Sequence, residues 1–194
     1  MKLVRILQKF ILFIYCLLKH KSVKLSYCLA YFNVTLNNIN LIKRKGSYIY
    51  FPNNNKISIN ILNKFSFTIN LLFELLNNKN LIVEDSDALS FIVKINELKF
   101  KVSSLSNMAV LYEIFIQRLY DISLNYENIT IIDIGMNVGV ASLFFANHPH
   151  VKAVYGYEPF PDTFNEALNN FNLNPDDTIV CIPLFFIKAP SLYP

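Results

Sequence analysis

The chain has 194 residues and a formal net charge of +4, with 53% hydrophobic and 16% charged residues. This composition can supply a buried core and differs from that of a disordered chain. The charge is unevenly placed: eleven lysines and arginines and no acid precede Glu74, whereas the remainder carries seven basic and fourteen acidic residues. The basic part of the chain before Glu74 is therefore expected to bind an anionic surface. None of the three cysteines and three histidines has a C-x-x-C or metal-ligand spacing, so we predict reduced cysteines and no metal site.

The first segment, residues 1–24, is predicted to be a basic amphipathic helix. Basic residues at positions 2, 5 and 9 share one helical face, and an uninterrupted apolar run extends from Phe10 to Leu18. A bilayer span needs about 20 apolar residues, so this run is too short. A removable signal peptide is not indicated either, because no small-residue cleavage site follows. Two alternatives remain: a helix packed on its own domain, or a peripheral helix on an anionic membrane.

The second segment, residues 25–126, is predicted to be a β-rich lead-in to the rest of the chain. Residues 47–69 are expected to form β structure, because isoleucines alternate with polar residues from Ile57 to Ile61. The three asparagines at 53–55 provide turn chemistry, since asparagine tolerates positive φ. Further along, a hairpin turning near Asn96-Glu97 is predicted over 91–102, and a helix over 107–120.

The third segment, residues 127–194, alternates strand and helix patterns. Such alternation predicts an α/β fold with a parallel sheet. The predicted order is strand Ile129–Ile134, helix Gly139–Ala146, strand Val151–Tyr157, helix Pro161–Asn172 and strand Thr178–Ile182. One face of the second helix is expected to contain Phe164, Leu168 and Phe171.

A glycine turn follows the first of these strands. Gly135 and Gly139 are two of only four glycines, and Asn137 between them tolerates left-handed backbone angles. Ligands of open α/β sheets bind where strands lead into helices, and the amides that begin the next helix are expected to face such a ligand. The third glycine of G-x-G-x-x-G is missing, and Asp133 would repel a diphosphate, so a dinucleotide is disfavoured.

An acidic turn suits a cationic ligand, and S-adenosylmethionine carries a sulfonium and an ammonium beside one carboxylate. Glu158 ends the second strand, where a carboxylate can accept hydrogen bonds from ribose hydroxyls. The alternative is a structural βαβ unit with incidental glycines.

The stretches "IIDIGMNVGVASLFFA" and "VYGYEPFPDTFNEALNNFNLN" resemble the opening half of FkbM-type methyltransferases. That family has a D-[IV]-G-A-N-x-G turn, an E-P-x-P block and an asparagine-rich helix end; Met136 stands here in place of the alanine. The resemblance implies a Rossmann-like methyltransferase fold with S-adenosylmethionine as cofactor. It further implies that Gly135, Asn137 and Gly139 cradle the methionyl part, that Asp133 holds its amino end, and that Glu158 holds the ribose.

The family's later strands, which carry its acceptor site, have no counterpart in residues 127–194. We therefore expect an incomplete parallel sheet, preceded by a small α+β region, in a truncated and inactive methyltransferase, and we nominate no catalytic residue. The family methylates hydroxyl oxygens of sugars or secondary metabolites, so a small-molecule or glycan acceptor is expected. The alternative is a non-catalytic partner that binds the cofactor or completes another chain's sheet. Expected partners include an anionic membrane through residues 1–24 but no nucleic acid, with a cytoplasmic or membrane-peripheral location.

Overall fold

A computed structural model gives the structure of the chain and describes residues 2–31, 34–87, 89–175 and 178–183. The chain divides into two compact units. Unit 1 comprises Met1–Glu97 and Lys101–Tyr112, and unit 2 comprises Leu98–Phe100 and Glu113–Pro194.

The helices of unit 1 are mostly short, and two of them begin at side-chain caps. Thr35 accepts a hydrogen bond from the backbone of Asn38, and Ser104 forms a reciprocal capping box with Asn107. The first helix, predicted over residues 1–24, is the longest of them but ends at His20, and a second helix begins at Val23. The helices are α1 Lys2–His20, α2 Val23–Tyr31, α3 Leu36–Leu41, α4 Ile61–Lys64, α5 Ile69–Leu76 and α6 Leu105–Leu111, with a 3-10 turn at Ser66–Thr68.

Two three-stranded sheets accompany these helices. The first is an antiparallel meander in the order β1-β2-β3, and the second has the order β4-β5-β6. Asn54 and Asn96 have positive φ angles of 66° and 56°, which confirms the predicted turns. The strands are β1 Lys43–Lys45, β2 Tyr48–Tyr50, β3 Lys56–Ser58, β4 Leu81–Ser86, β5 Phe91–Ile95 and β6 Leu98–Val102.

Two predictions for the lead-in segment need correction. The expected β structure over 47–69 ends at Ser58, and Ile61 begins α4. Ile61, Leu62 and Phe65 are all fully buried, a helical rather than an alternating spacing. The helix expected over 107–120 is α6, which starts earlier and passes into a π-helix at Tyr112–Ile116.

Unit 2 contains a three-stranded parallel sheet in the order β7-β8-β9, which confirms the predicted strand–helix alternation. Asn174, at the end of the second helix, holds Leu98–Phe100 to this unit: its side chain accepts from the Lys99 amide and donates to the Lys99 carbonyl. The elements are β7 Ile129–Ile134, α7 Val140–Ala146, β8 Val151–Glu158, α8 Pro161–Leu173 and β9 Ile179–Pro183. Residues 184–194 lie outside the described residues.

The two faces of this sheet differ in burial. On one face, Ile131 of β7 packs on a core formed by Ala146, Val151 and Val154. On the other face, Ile132 pairs with Tyr155, and Tyr155 pairs with Val180. These three side chains are 65%, 37% and 43% exposed. An apolar row therefore crosses the sheet in contact with solvent.

Helix α8 places Phe164, Leu168 and Phe171 on one face, as predicted, but its fully buried residues lie elsewhere. Leu168 is 37% exposed, whereas Ala167 and Asn170 are buried. The reason is the close approach of Gly139 to α8: a Cβ built on this glycine would lie 3.3 Å from Ala167 Cβ. A small residue on α8 therefore faces the glycine turn.

Candidate cofactor site

The candidate site lies at the carboxyl ends of β7 and β8. The turn after β7 has left-handed backbone angles at Gly135, Asn137 and Gly139, with φ values of 78°, 53° and 78°. Only glycine, and to a lesser degree asparagine, adopts this conformation at small cost. The residue types that the sequence places in this turn are therefore those its geometry requires.

The two glycines of the turn serve different purposes. A Cβ on Gly139 would lie 2.5 Å from the Phe171 ring, so this position needs glycine for close helix packing. A Cβ on Gly135 would meet no atom of the described part of the chain within 4 Å. Gly135 is also exposed. The space above it is open to a ligand that approaches the backbone.

The turn is held by hydrogen bonds of its own amides. The amides of Gly135 and Met136 both donate to the Tyr157 carbonyl, at 2.9 and 3.0 Å, and the Gly139 amide donates to the Met136 carbonyl. Amides engaged in this way are not donors for a ligand. These three amides preform the shape of the turn, and the contact of a ligand with the amides that begin α7 stays a prediction.

Glu158 connects the two loops that follow β7 and β8. Its side chain is 3% exposed. One carboxylate oxygen accepts from the Asn137 amide at 3.0 Å, and the other accepts from the Phe160 amide at 2.9 Å. Each oxygen retains a second lone pair. Glu158 thus links the two loops through these two hydrogen bonds, which we call the Glu158 latch. Its binding to a ribose stays a prediction.

Asp133 is half-buried near the end of β7. The Ser142 hydroxyl, on the first turns of α7, donates to Asp133 Oδ2 at 2.6 Å. Burial raises the pKa of the Asp133 carboxyl above its ordinary value, and the hydrogen bond from Ser142 lowers it by a smaller amount. An ammonium group beside this carboxylate would relieve the cost of its burial.

Three contributors to the site were not foreseen from the sequence. A Cβ on Gly156 would collide with the sulfur of Met136, so the methionine in the turn depends on a glycine in the neighbouring strand. Asn170 donates to the Val138 carbonyl at 2.8 Å and supports the turn from α8. Ser142 is the third. The scarcity of glycine was the one signal that could have indicated Gly156.

All five predicted site residues are found at this end of the sheet. Asp133, Gly135, Asn137 and Gly139 lie in β7 and its turn, and the Glu158 latch joins them to β8. Among the described residues, no group of three or more His, Cys, Asp and Glu side chains is placed to hold a metal ion. In the same part of the chain, no helix combines the length and apolarity needed to cross a bilayer.

The chain matches no known protein-family profile and no curated protein sequence. Solved structures similar to it include TYW2 of M. jannaschii in complex with AdoMet, with 23% identity and a TM-score of 0.38 over 49% of this chain and 43% of that one. Another is TYW2 of P. horikoshii in complex with MeSAdo, with 16% identity and a TM-score of 0.39 over 81% of this chain and 62% of that one. The chain thus spans between 43% and 62% of the length of these proteins. At such TM-scores the likeness carries no argument about ligand or activity.

Proposed function

We propose that the chain binds S-adenosylmethionine and belongs to the FkbM type of methyltransferase, which transfers the methyl group to a hydroxyl oxygen of a sugar or secondary metabolite. The observation that carries the proposal is the preformed D-x-G-x-N-x-G turn, latched by Glu158 and open above Gly135. The E-P-x-P block, which begins with the last residue of β8, supports the family assignment.

The residues around the turn fit this cofactor better than a dinucleotide. Asp133 offers a half-buried carboxylate to an ammonium, whereas a diphosphate would meet repulsion there. The cofactor would supply a methyl group on a sulfonium. The chain's own contribution is to hold the amino end at Asp133 and the methionyl part against Gly135 and Asn137. A ribose hydroxyl would share the Glu158 carboxylate with the two loop amides.

Calorimetry with S-adenosylmethionine, S-adenosylhomocysteine and NAD tests the ligand. We expect the first two to bind and NAD to bind more weakly or not at all. Gly135→Val should abolish binding by filling the space above the turn. Gly46→Val is the matched control. Gly46 also has positive φ and open surroundings, but it lies in a β-hairpin of unit 1. Tighter binding of NAD, or equal loss in both variants, would overturn the proposal.

A second candidate function is a non-catalytic partner that completes the sheet of another chain. Among the described residues, β7 lies at the edge of the sheet in the order β7-β8-β9, and the unpaired backbone groups of an edge strand can pair with a strand of another chain. Transfer of label from S-adenosylmethionine to glycan or small-molecule acceptors, lost in Gly135→Val and kept in Gly46→Val, would favour the enzyme.

A further inference from the structure

The longest helix of the chain, α1, turns an apolar face to solvent. Five of its exposed apolar residues recur every three or four positions, so they form one stripe along the helix, and Ile6, Phe10 and Tyr15 are exposed as well. The stripe consists of Val4, Leu7, Ile11, Ile14 and Leu18, which are 59%, 59%, 59%, 38% and 76% exposed.

A different face of α1 packs on unit 1. Cys16 and His20, four residues apart, are buried. Lys9 donates to the Tyr31 carbonyl, and Lys19 donates to the Ile39 carbonyl at 2.9 Å. Because α1 is anchored through these residues, the stripe is not the side on which it contacts its own unit.

The charge of the segment that carries the stripe indicates what covers it. Arg5 and Lys21 are exposed, and no acidic residue occurs before Glu74. A second copy packed on the same stripe would bring two acid-free basic segments together, and like charges repel. An anionic bilayer would cover the apolar stripe and attract the acid-free basic segment that carries it. We propose that α1 lies in the surface of an anionic lipid bilayer, with the stripe facing the acyl chains.

Co-sedimentation of the full chain with vesicles tests this proposal. We expect binding to phosphatidylcholine vesicles that contain phosphatidylserine, release at high salt, and little binding to pure phosphatidylcholine. Leu7→Ser/Leu18→Ser should weaken binding about tenfold or more by removing apolar burial. Arg5→Gln/Lys21→Gln should weaken it by a similar factor and reduce the salt dependence.

The substituted side chains are exposed, so the variants should keep the circular dichroism spectrum and thermal unfolding of the parent protein. Leu119→Ser is the matched control, because Leu119 is 63% exposed in unit 2, and it should bind vesicles like the parent. Equal binding to neutral vesicles, or unchanged binding of Leu7→Ser/Leu18→Ser, would overturn the proposal. So would a lipid-free dimer that this double variant dissociates, because the occupant would then be a second copy.

Discussion

Gly135 and Gly139 have the same backbone conformation but different surroundings. Alanine at either position is strained by the positive φ, at a cost of about 1 kcal/mol. At position 139 the methyl group also meets the Phe171 ring, which adds about 1–3 kcal/mol of overpacking. Gly139→Ala should therefore destabilise the protein more than Gly135→Ala, as measured by denaturation followed by circular dichroism. Equal losses would show that α8 yields to the added methyl.

We expect the Asp133 carboxylate to lower the free energy of unfolding and to strengthen the binding of S-adenosylmethionine. Its pKa is raised by burial, so the folded state is penalised where the carboxyl is ionised. Asp133→Asn removes that charge and keeps an oxygen for Ser142, and should raise the free energy of unfolding at neutral pH. The same substitution should weaken S-adenosylmethionine binding measured by calorimetry, because the partner of the ammonium loses its charge. A variant that is less stable, or that binds as tightly, would contradict this role.

At the residue scale, the backbone conformation of the turn could be predicted from the sequence, but the side-chain contacts that hold the turn could not. Glycine and asparagine tolerate positive φ better than other residues. The spacing of Gly135, Asn137 and Gly139 therefore predicted the backbone conformation of the turn correctly. The Glu158 latch depends on amides of two loops that meet only in the folded sheet. The pairing of Met136 with Gly156 likewise depends on strand register. Neither leaves a local pattern in the sequence.

At the scale of elements, β7 offers a direct test of the uncovered sheet face. Ile131 and Ile132 are adjacent but point to opposite faces, and Ile131 packs on the core whereas Ile132 is 65% exposed. Ile132→Thr should reduce the binding of a hydrophobic dye and the concentration-dependent self-association of the protein, with little change in the free energy of unfolding. Ile131→Thr, the matched control, should cost about 1–2 kcal/mol and leave association unchanged. Equal effects on association would show that this face does not drive it.

The elements of unit 2 were predicted more accurately than those of unit 1. Strand β7 begins and ends where its apolar run predicted, and β8 and β9 lie within a residue of their predicted bounds. Their alternation with helices constrains each assignment through its neighbours. By contrast, the isoleucines from Ile57 to Ile61 fit a strand or a buried helix, and tertiary packing made Ile61 helical. Whether a face of the sheet is covered depends on how residues distant in the sequence pack on it, so no local sequence pattern predicts the exposed face.

For the whole molecule, the two units are expected to respond oppositely to acid. His20 of unit 1 is buried, and among the described residues its Nε2 has no hydrogen-bond partner. Burial, together with Lys19 and Arg44, lowers its pKa from 6.5 to about 4. Between these values the unfolded chain binds the proton and the folded one does not, so stability falls as the pH drops below 6.5. Asp133 of unit 2 has a raised pKa. The folded state then binds its proton first, and lowering the pH toward the ordinary carboxyl value adds stability.

Hydrogen exchange measured peptide by peptide at pH 7 and pH 5 would separate the two responses, once rates are corrected for the intrinsic effect of pH. We expect protection to fall in α1 and α2, where His20 is the responsible group, and to hold or rise in β7 and α7. His20→Phe should remove the acid sensitivity of the first pair without altering the second, and Asp133→Asn should do the reverse. A uniform loss of protection through both units, unchanged by either substitution, would mean that neither group controls the acid response. If the responses separate as expected, the stripe on α1 and the turn after β7 belong to parts of the protein that lose structure under different conditions. Vesicle binding would then weaken in mild acid because unit 1 loses structure, whereas cofactor binding would weaken there because Asp133 gains a proton while β7 and α7 keep their structure.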